Sequence, residues 1–361
     1  METIRGCRCV SWSCTGFGLF WIFIASAALA AERDAWKHPD ARFAAIDDAV
    51  DDDDFAAAQK LLAGLRAEAK RTKDQQLLAE SLEHGKDVAK LARDFEKIGK
   101  YLKTLEKTPR DRKACLAVGK YYCVAKGDWK RGLPLLAAGD DASLAVLAAH
   151  DNESVLKPVD QLAIADRWWQ CSQKVTDANE RIAYQLRARE WMLKAGPEAN
   201  DKSRATIDLR LKQVPLFADR VVVWNTHNGG YKDRGADELL VSLLYEDKVV
   251  WKEAAAIPWT ANEPAYVMLR PKHVRVDQVR VDITKRHNRG GGLGEIQVIV
   301  GRINVARRCE PTADAYFELN DTYNPSRLVD DDTSGNTGYW LTEIEKDGWA
   351  AIHFAEFPRS K

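Results

Sequence analysis

The hydrophobic period of this sequence changes abruptly after Pro215, and no other feature constrains the fold so strongly. Over residues 32–215 apolar side chains recur at helical spacing. Phe55, Ala58, Leu62 and Leu65 make one stripe; Val159, Leu162, Ala165 and Trp169 a second; Tyr184, Ala188, Trp191 and Ala195 a third. Over residues 219–361 the pattern alternates instead. Val279, Val281 and Ile283 are interleaved with Arg280 and Asp282, and Ile296, Val298 and Val300, then Ala350, Ile352 and Phe354, form further rows. A chain of 361 residues can bury two cores. The expectation is therefore a multidomain α plus β protein, with an N-terminal helical-hairpin array followed by an antiparallel β-sandwich.

Punctuation in the first half fits helices. The run Asp51–Asp54 precedes the first stripe and reads as a solvated helix start favoured by the macrodipole, not a metal site. Pro158 suits a first helical position, and Asp201 or Ser203 a cap. Thr108-Pro109, Gly127-Asp128 and Gly196-Pro197 read as stops. "RAREWMLKA" (187–195) resembles a tetratricopeptide helix in its small-residue and Trp spacing, without a regular repeat near 34 residues. "GDWKRGLPLLAAGDDASLAVLAAHD" (127–151) resembles an uncharacterised family of secreted bacterial proteins that join such helices to a sandwich, which implies an architecture and no activity.

Residues 1–30 read as a cleaved secretory signal: Arg5 and Arg8, the apolar run 17–30, then Ala28-Leu29-Ala30. The apolar run is shorter than the roughly 20 residues a membrane span needs. A secreted, periplasmic or extracellular location follows as an expectation. Losing Arg5, Arg8 and Glu2 leaves 52 basic and 53 acidic side chains, a balance with no pull toward nucleic acid or anionic lipid. Cys115, Cys123, Cys171 and Cys309 then remain, read as buried thiols; no Cys/His spacing suits zinc.

"YNPSRLVDDDTSGNTGYWL" (323–341) and "GWAAIHF" (348–354) resemble the opening strands of a discoidin-like (coagulation factor 5/8 type C), galactose-binding-like jelly-roll sandwich. "VRVDI" (279–283) and "LGEIQV" (293–298) resemble its closing strands. The family order is thus reversed: residues 219–303 carry late strands and residues 304–361 early ones. One circularly permuted sandwich, or a degenerate sandwich followed by a truncated second, would explain it. Asp331 stands where the family usually has Gly. The resemblance further implies a structural Ca²⁺ on Asp330, Asp332 and Glu295, hard oxygen ligands suited to that ion.

The richest loop, 224–238, offers His227, Asn228, Tyr231, Asp233 and Arg234, a mixture of polar groups and an aromatic face that suits a sugar. No GxSxG, HExxH or Walker pattern occurs, and "GGGLG" (290–294) leads into a strand, a poor phosphate cradle. The expectation is a secreted, non-catalytic binding protein that recognises a glycan or another cell-surface polymer through sandwich loops. The alternative is an assembly protein that docks a protein partner on the helical array.

Overall fold

The computed structural model describes residues 37–153, 157–263, 265–317, 322–335 and 338–354. The secretory signal expected over residues 1–30 lies outside them. Nine α-helices occur among the described residues: α1 Ala44–Asp51, α2 Phe55–Thr72, α3 Gln75–Lys107, α4 Arg112–Lys120, α5 Trp129–Ala137, α6 Ala142–Asp151, α7 Pro158–Lys174, α8 Ala178–Ala195 and α9 Asp201–Gln213. None is long and apolar enough to cross a membrane.

Aspartate starts most of these helices. Asp54, Asp74, Asp111, Asp128, Asp141 and Asp177 each accept a backbone N–H of the first turn, and each such cap is worth about 1 kcal/mol. The last helix is capped by Asn200, not by Asp201 or Ser203, because Asn200 keeps extended backbone while Asp201 is already helical. The second expected stripe is rotated: Val159 is 68 % exposed, and α7 buries Ile164, Ala165, Trp168 and Ser172 instead. The first and third stripes are buried throughout. The Asp51–Asp54 run does more than start a helix. Asp54 caps α2, but Asp53, at φ +63°, turns inward to Lys126 Nζ at 2.7 Å and the Tyr122 hydroxyl at 2.9 Å.

The helical core closes around a buried ion pair. Asp151, at the end of α6, accepts from Trp168 Nε1 at 2.6 Å and from Arg187 Nε at 3.0 Å. The Arg187 guanidinium also lies over the rings of Trp129 and Trp191. Each charge of the pair is thereby hydrogen-bonded or stacked, which a buried ion requires.

Past Pro215 the chain forms twelve strands among the described residues. They are β1 Phe217–Ala218, β2 Arg220–Asn225, β3 Ala236–Tyr245, β4 Lys248–Ala256, β5 Tyr266–Leu269, β6 Val274–Arg275, β7 Gln278–Arg286, β8 Gly292–Val300, β9 Ile303–Asn304, β10 Pro311–Ala313, β11 Trp340–Leu341 and β12 Gly348–His353. One antiparallel sheet runs β10-β12-β7-β3-β4; another runs β11-β8-β2-β5, with β9 on β8; β1 and β6 form a ribbon. The β3–β4 hairpin turns at Glu246 and Asp247, both at positive φ, the handedness a two-residue turn needs to match strand twist.

Val241, Val281 and Ile352 of the first sheet meet Val223, Ile296 and Trp340 of the second in one core. Because β12 lies between β10 and β7, residues 304–354 complete the sheets begun by residues 219–303, and a separate truncated sandwich is ruled out. At the turn before β11, Asp331 takes φ +66°, the left-handed conformation for which Gly is the usual occupant and which Asp tolerates.

The two halves share a buried contact. Arg189 on α8 donates to the carbonyls of Val305 at 2.8 Å and Phe354 at 3.2 Å. Strand β2 is buried along its whole length, Val221 and Val223 in the sandwich core and Arg220, Val222 and Trp224 on the opposite face.

Candidate functional site

The loop after β2 is folded inward. His227, Asn228 and Arg234 are buried. Asn228 takes φ +58°, its Nδ2 donates to Asp233 Oδ1 at 2.5 Å, and its Oδ1 accepts the Tyr339 hydroxyl at 3.3 Å. Arg234 reaches the Thr342 carbonyl at 3.3 Å and lies over the Phe317 ring. Trp259 Nε1 donates to the Arg234 carbonyl, and its ring stacks on His287. Both ring nitrogens of His227 are buried without a hydrogen-bond partner. Only Tyr231, 79 % exposed, presents a large face to solvent, with Asp233 half-buried beside it. The five loop residues are brought together, but as bracing between loops more than as an open concavity.

Asp330, Asp332 and Glu295 also share one neighbourhood. Asp332 Oδ1 accepts from Ser334 N and Oδ2 from Gly338 N, both at 2.9 Å, and Asp330 Oδ1 accepts from Asp332 N at 3.1 Å. Glu295 is fully buried; the Asp330 and Asp331 amides approach its carboxylate without completing a hydrogen bond. Burial, then repulsion from Asp331 and Asp330, drives its pKa well above the carboxylate range. These groups do not fit a calcium ion as arranged. The aspartate oxygens already close turns, and among the described residues no three His, Cys, Asp or Glu side chains converge as ligands.

A ligand-sized cavity lies elsewhere, between the helices and the sandwich. It encloses about 800 Å³, within the range of small-molecule sites. Its helical wall comes from α3, the segment 117–129 and the first half of α8; its sandwich wall comes from residues 215–220, 270–273 and 300–303. Trp129, Tyr121 and Leu186 supply a buried floor, while Asp87, Lys90 and Lys272 stand exposed at the rim. An apolar floor with a charged rim can hold and orient a ligand.

A buried acid–histidine cluster backs this cavity. His84, on its wall, contacts Asp47 Oδ1 at 2.8 Å; His38 Nε2 lies 3.2 Å from Glu80 Oε2, and Asp47 Oδ2 accepts the His38 N–H at 2.8 Å. His38 Nδ1 accepts from Asp40 N at 3.1 Å, so Nε2 is the protonated nitrogen of the neutral ring. Burial holds the His38 pKa below its ordinary value against the pull of Glu80. Burial pushes Glu80 upward, yet the close His38 ring and the hydrogen bond from Gln76 outweigh it and leave its pKa lowered.

Neither the cavity nor the cluster is written in any one stretch of the sequence. The i, i+4 spacing of Glu80 and His84 on α3 is the one local signal of the cluster; the cavity has none, since its walls come from distant segments. The geometry defines a mixed α plus β chain whose helices and antiparallel sheets enclose a cleft. No family model, curated protein or solved structure matches it.

Proposed function

We propose that this chain is a non-catalytic binding protein whose ligand, a carbohydrate or the end of another surface polymer, enters the cleft between the helices and the sandwich. The observation that carries this reading is the cleft itself: it has ligand-sized volume, an aromatic and apolar floor, and walls drawn from both halves of the chain. The loop around Tyr231 supports a ligand less well, because His227 is buried and Asn228 and Arg234 are engaged within the fold. In the same reading the sandwich is a discoidin-like domain with its strand order permuted. The place of β12 beside β7 and the left-handed Asp331 support that, and a secreted location accords with residues 1–30.

The test is a thermal-shift screen of the intact chain against soluble glycans, repeated on Ala183→Trp, which fills the cleft from α8, and on Tyr231→Ala. Hits lost in Ala183→Trp and kept in Tyr231→Ala support the cleft; the opposite pattern returns the ligand to the loop. A second reading, docking of a protein partner on the helical array, is favoured by Val146, Val159 and Leu209, each more than half exposed. It predicts a partner whose binding is lost when those side chains become serine.

A further inference from the structure

Strands β5, β2 and β8 lie side by side, and their antiparallel register brings the end of β5, the start of β2 and the end of β8 to one edge of the sheet. Each places an arginine there. Arg220 opens β2 opposite Ile299; Arg270 follows Leu269, whose partner is Val221; Arg302 follows β8 in the turn to β9. All three line the cleft. Arg220 is 6 % exposed, Arg270 Nη2 is buried without a hydrogen-bond partner, and Arg302 Nε and Nη1 are out of reach of solvent.

Burial holds Arg220 and Arg302 below the usual arginine range, Arg302 at about 10. Repulsion adds to it, from Arg270 on Arg220 and from Arg220 on Arg302. Asp87, then Asp219 and Asp47, attract Arg220; Asp51 and Asp47 attract Arg302; Glu80 and Glu83 on α3 attract Arg270. Asp219, on the sandwich wall beside Arg220, also braces that wall: Oδ2 accepts Gly301 N at 2.7 Å and Oδ1 lies 3.0 Å from His273 Nδ1. Three arginines gathered at one end of the sheet and lining the cleft offer donor forks that match the planar oxygens of an oxyanion. Across the cleft, Glu83, Asp87 and Asn179 offer acceptors suited to hydroxyl groups.

We propose that the cleft takes a carboxylated, polyhydroxylated ligand of the uronic-acid type, its carboxylate on Arg220, Arg270 and Arg302 and its hydroxyls toward Glu83 and Asp87. This rests on the cleft being the binding site. It deepens that reading by naming the ligand class.

The test uses the intact chain, calorimetric titration and hydrogen exchange, with a galacturonic acid trimer, a neutral galactose trimer and inorganic phosphate as probes. The acidic trimer is expected to bind, to weaken as salt is raised, and to slow exchange over residues 83–94 and 300–303. In Arg270→Gln its affinity should drop at least about tenfold, with partial recovery in Arg270→Lys. Unchanged melting of the variants confirms their fold; if Arg270→Gln does not fold, Lys272→Gln at the rim carries the same test with a smaller drop. Equal binding of the neutral trimer, phosphate binding as tightly as the acidic trimer, unaltered affinity in Arg270→Gln, or no binding by any probe overturns the proposal. Protection of the same segments by the neutral trimer or phosphate leaves the cleft standing and removes only the acid-sugar inference. Protection confined to residues 228–235 removes both.

Discussion

Val281 on β7 and Ala350 on β12 face each other across one antiparallel ladder, and neither has any exposed surface. They belong to stretches of the chain that are separated by β8, β9, β10 and β11. Their pairing makes the sandwich a joint product of both stretches. A chain ended after Ile303 would lose β10, β11 and β12, strip the edge of β7 and uncover Val279, Val281 and Ile283. It is expected to lose cooperative unfolding in calorimetry; a sharp transition like that of the intact chain would contradict a shared core.

Arg189 joins the helices to the sandwich through the carbonyls of Val305 and Phe354. Arg189→Met keeps much of the side-chain volume but leaves two buried acceptors without their donor. Urea denaturation should show a loss of about 2–4 kcal/mol. A loss under 1 kcal/mol would mean that solvent reaches those carbonyls.

Acid should weaken the helical half before ordinary carboxylates titrate. His38 has a folded pKa below its ordinary 6.5, so the unfolded chain takes up the proton first. The stability that neutral His38 supplies is complete above that value and is lost as pH falls below it. Glu80, also lowered, contributes stability above its ordinary 4.5 that is lost further down. Melting temperature should therefore begin to fall below about pH 6.5. In His38→Phe, which can keep the stack on Phe43, that first decline should disappear.

Glu295 is a buried carboxyl with no completed hydrogen bond. Its raised folded pKa means that stability is lost as pH rises from the ordinary glutamate value toward the folded one. Glu295→Gln should raise the melting temperature at pH 8 and change it little at pH 4. Millimolar calcium is expected to leave the intact chain's melting unchanged; a rise that vanishes in Glu295→Gln would restore the ion to Asp330, Asp332 and Glu295.

Local rules carried much of the architecture. Helix starts are written as single aspartates before apolar stripes, and Val279, Val281 and Ile283 announce their inward face by alternation alone. The Asp331 position could be singled out because an unusual backbone conformation restricts which residues fit. Polar side chains were harder to place. His227, Asn228 and Arg234 have the composition of a binding loop, yet Tyr339 and Thr342, which bond to Asn228 and Arg234, lie about a hundred residues onward, and only the closed sandwich turns the three side chains inward. Asp53 likewise reads as a surface charge until Lys126 and Tyr122 arrive from the segment after α4. Arg220, Arg270 and Arg302 each look like an ordinary strand-end cation, and strand register alone aligns them.

The place of β12 in the sheet also sets a timetable. A ribosome delivers the helices and β1 to β9 before the strand that must slot between β7 and β10. At roughly 5–20 residues per second, the 45 residues from Asn304 to Gly348 take several seconds to emerge. Throughout that interval the nascent chain presents an unpaired strand edge and an uncovered apolar layer, the combination that invites chaperone capture or mispairing between neighbouring polypeptides.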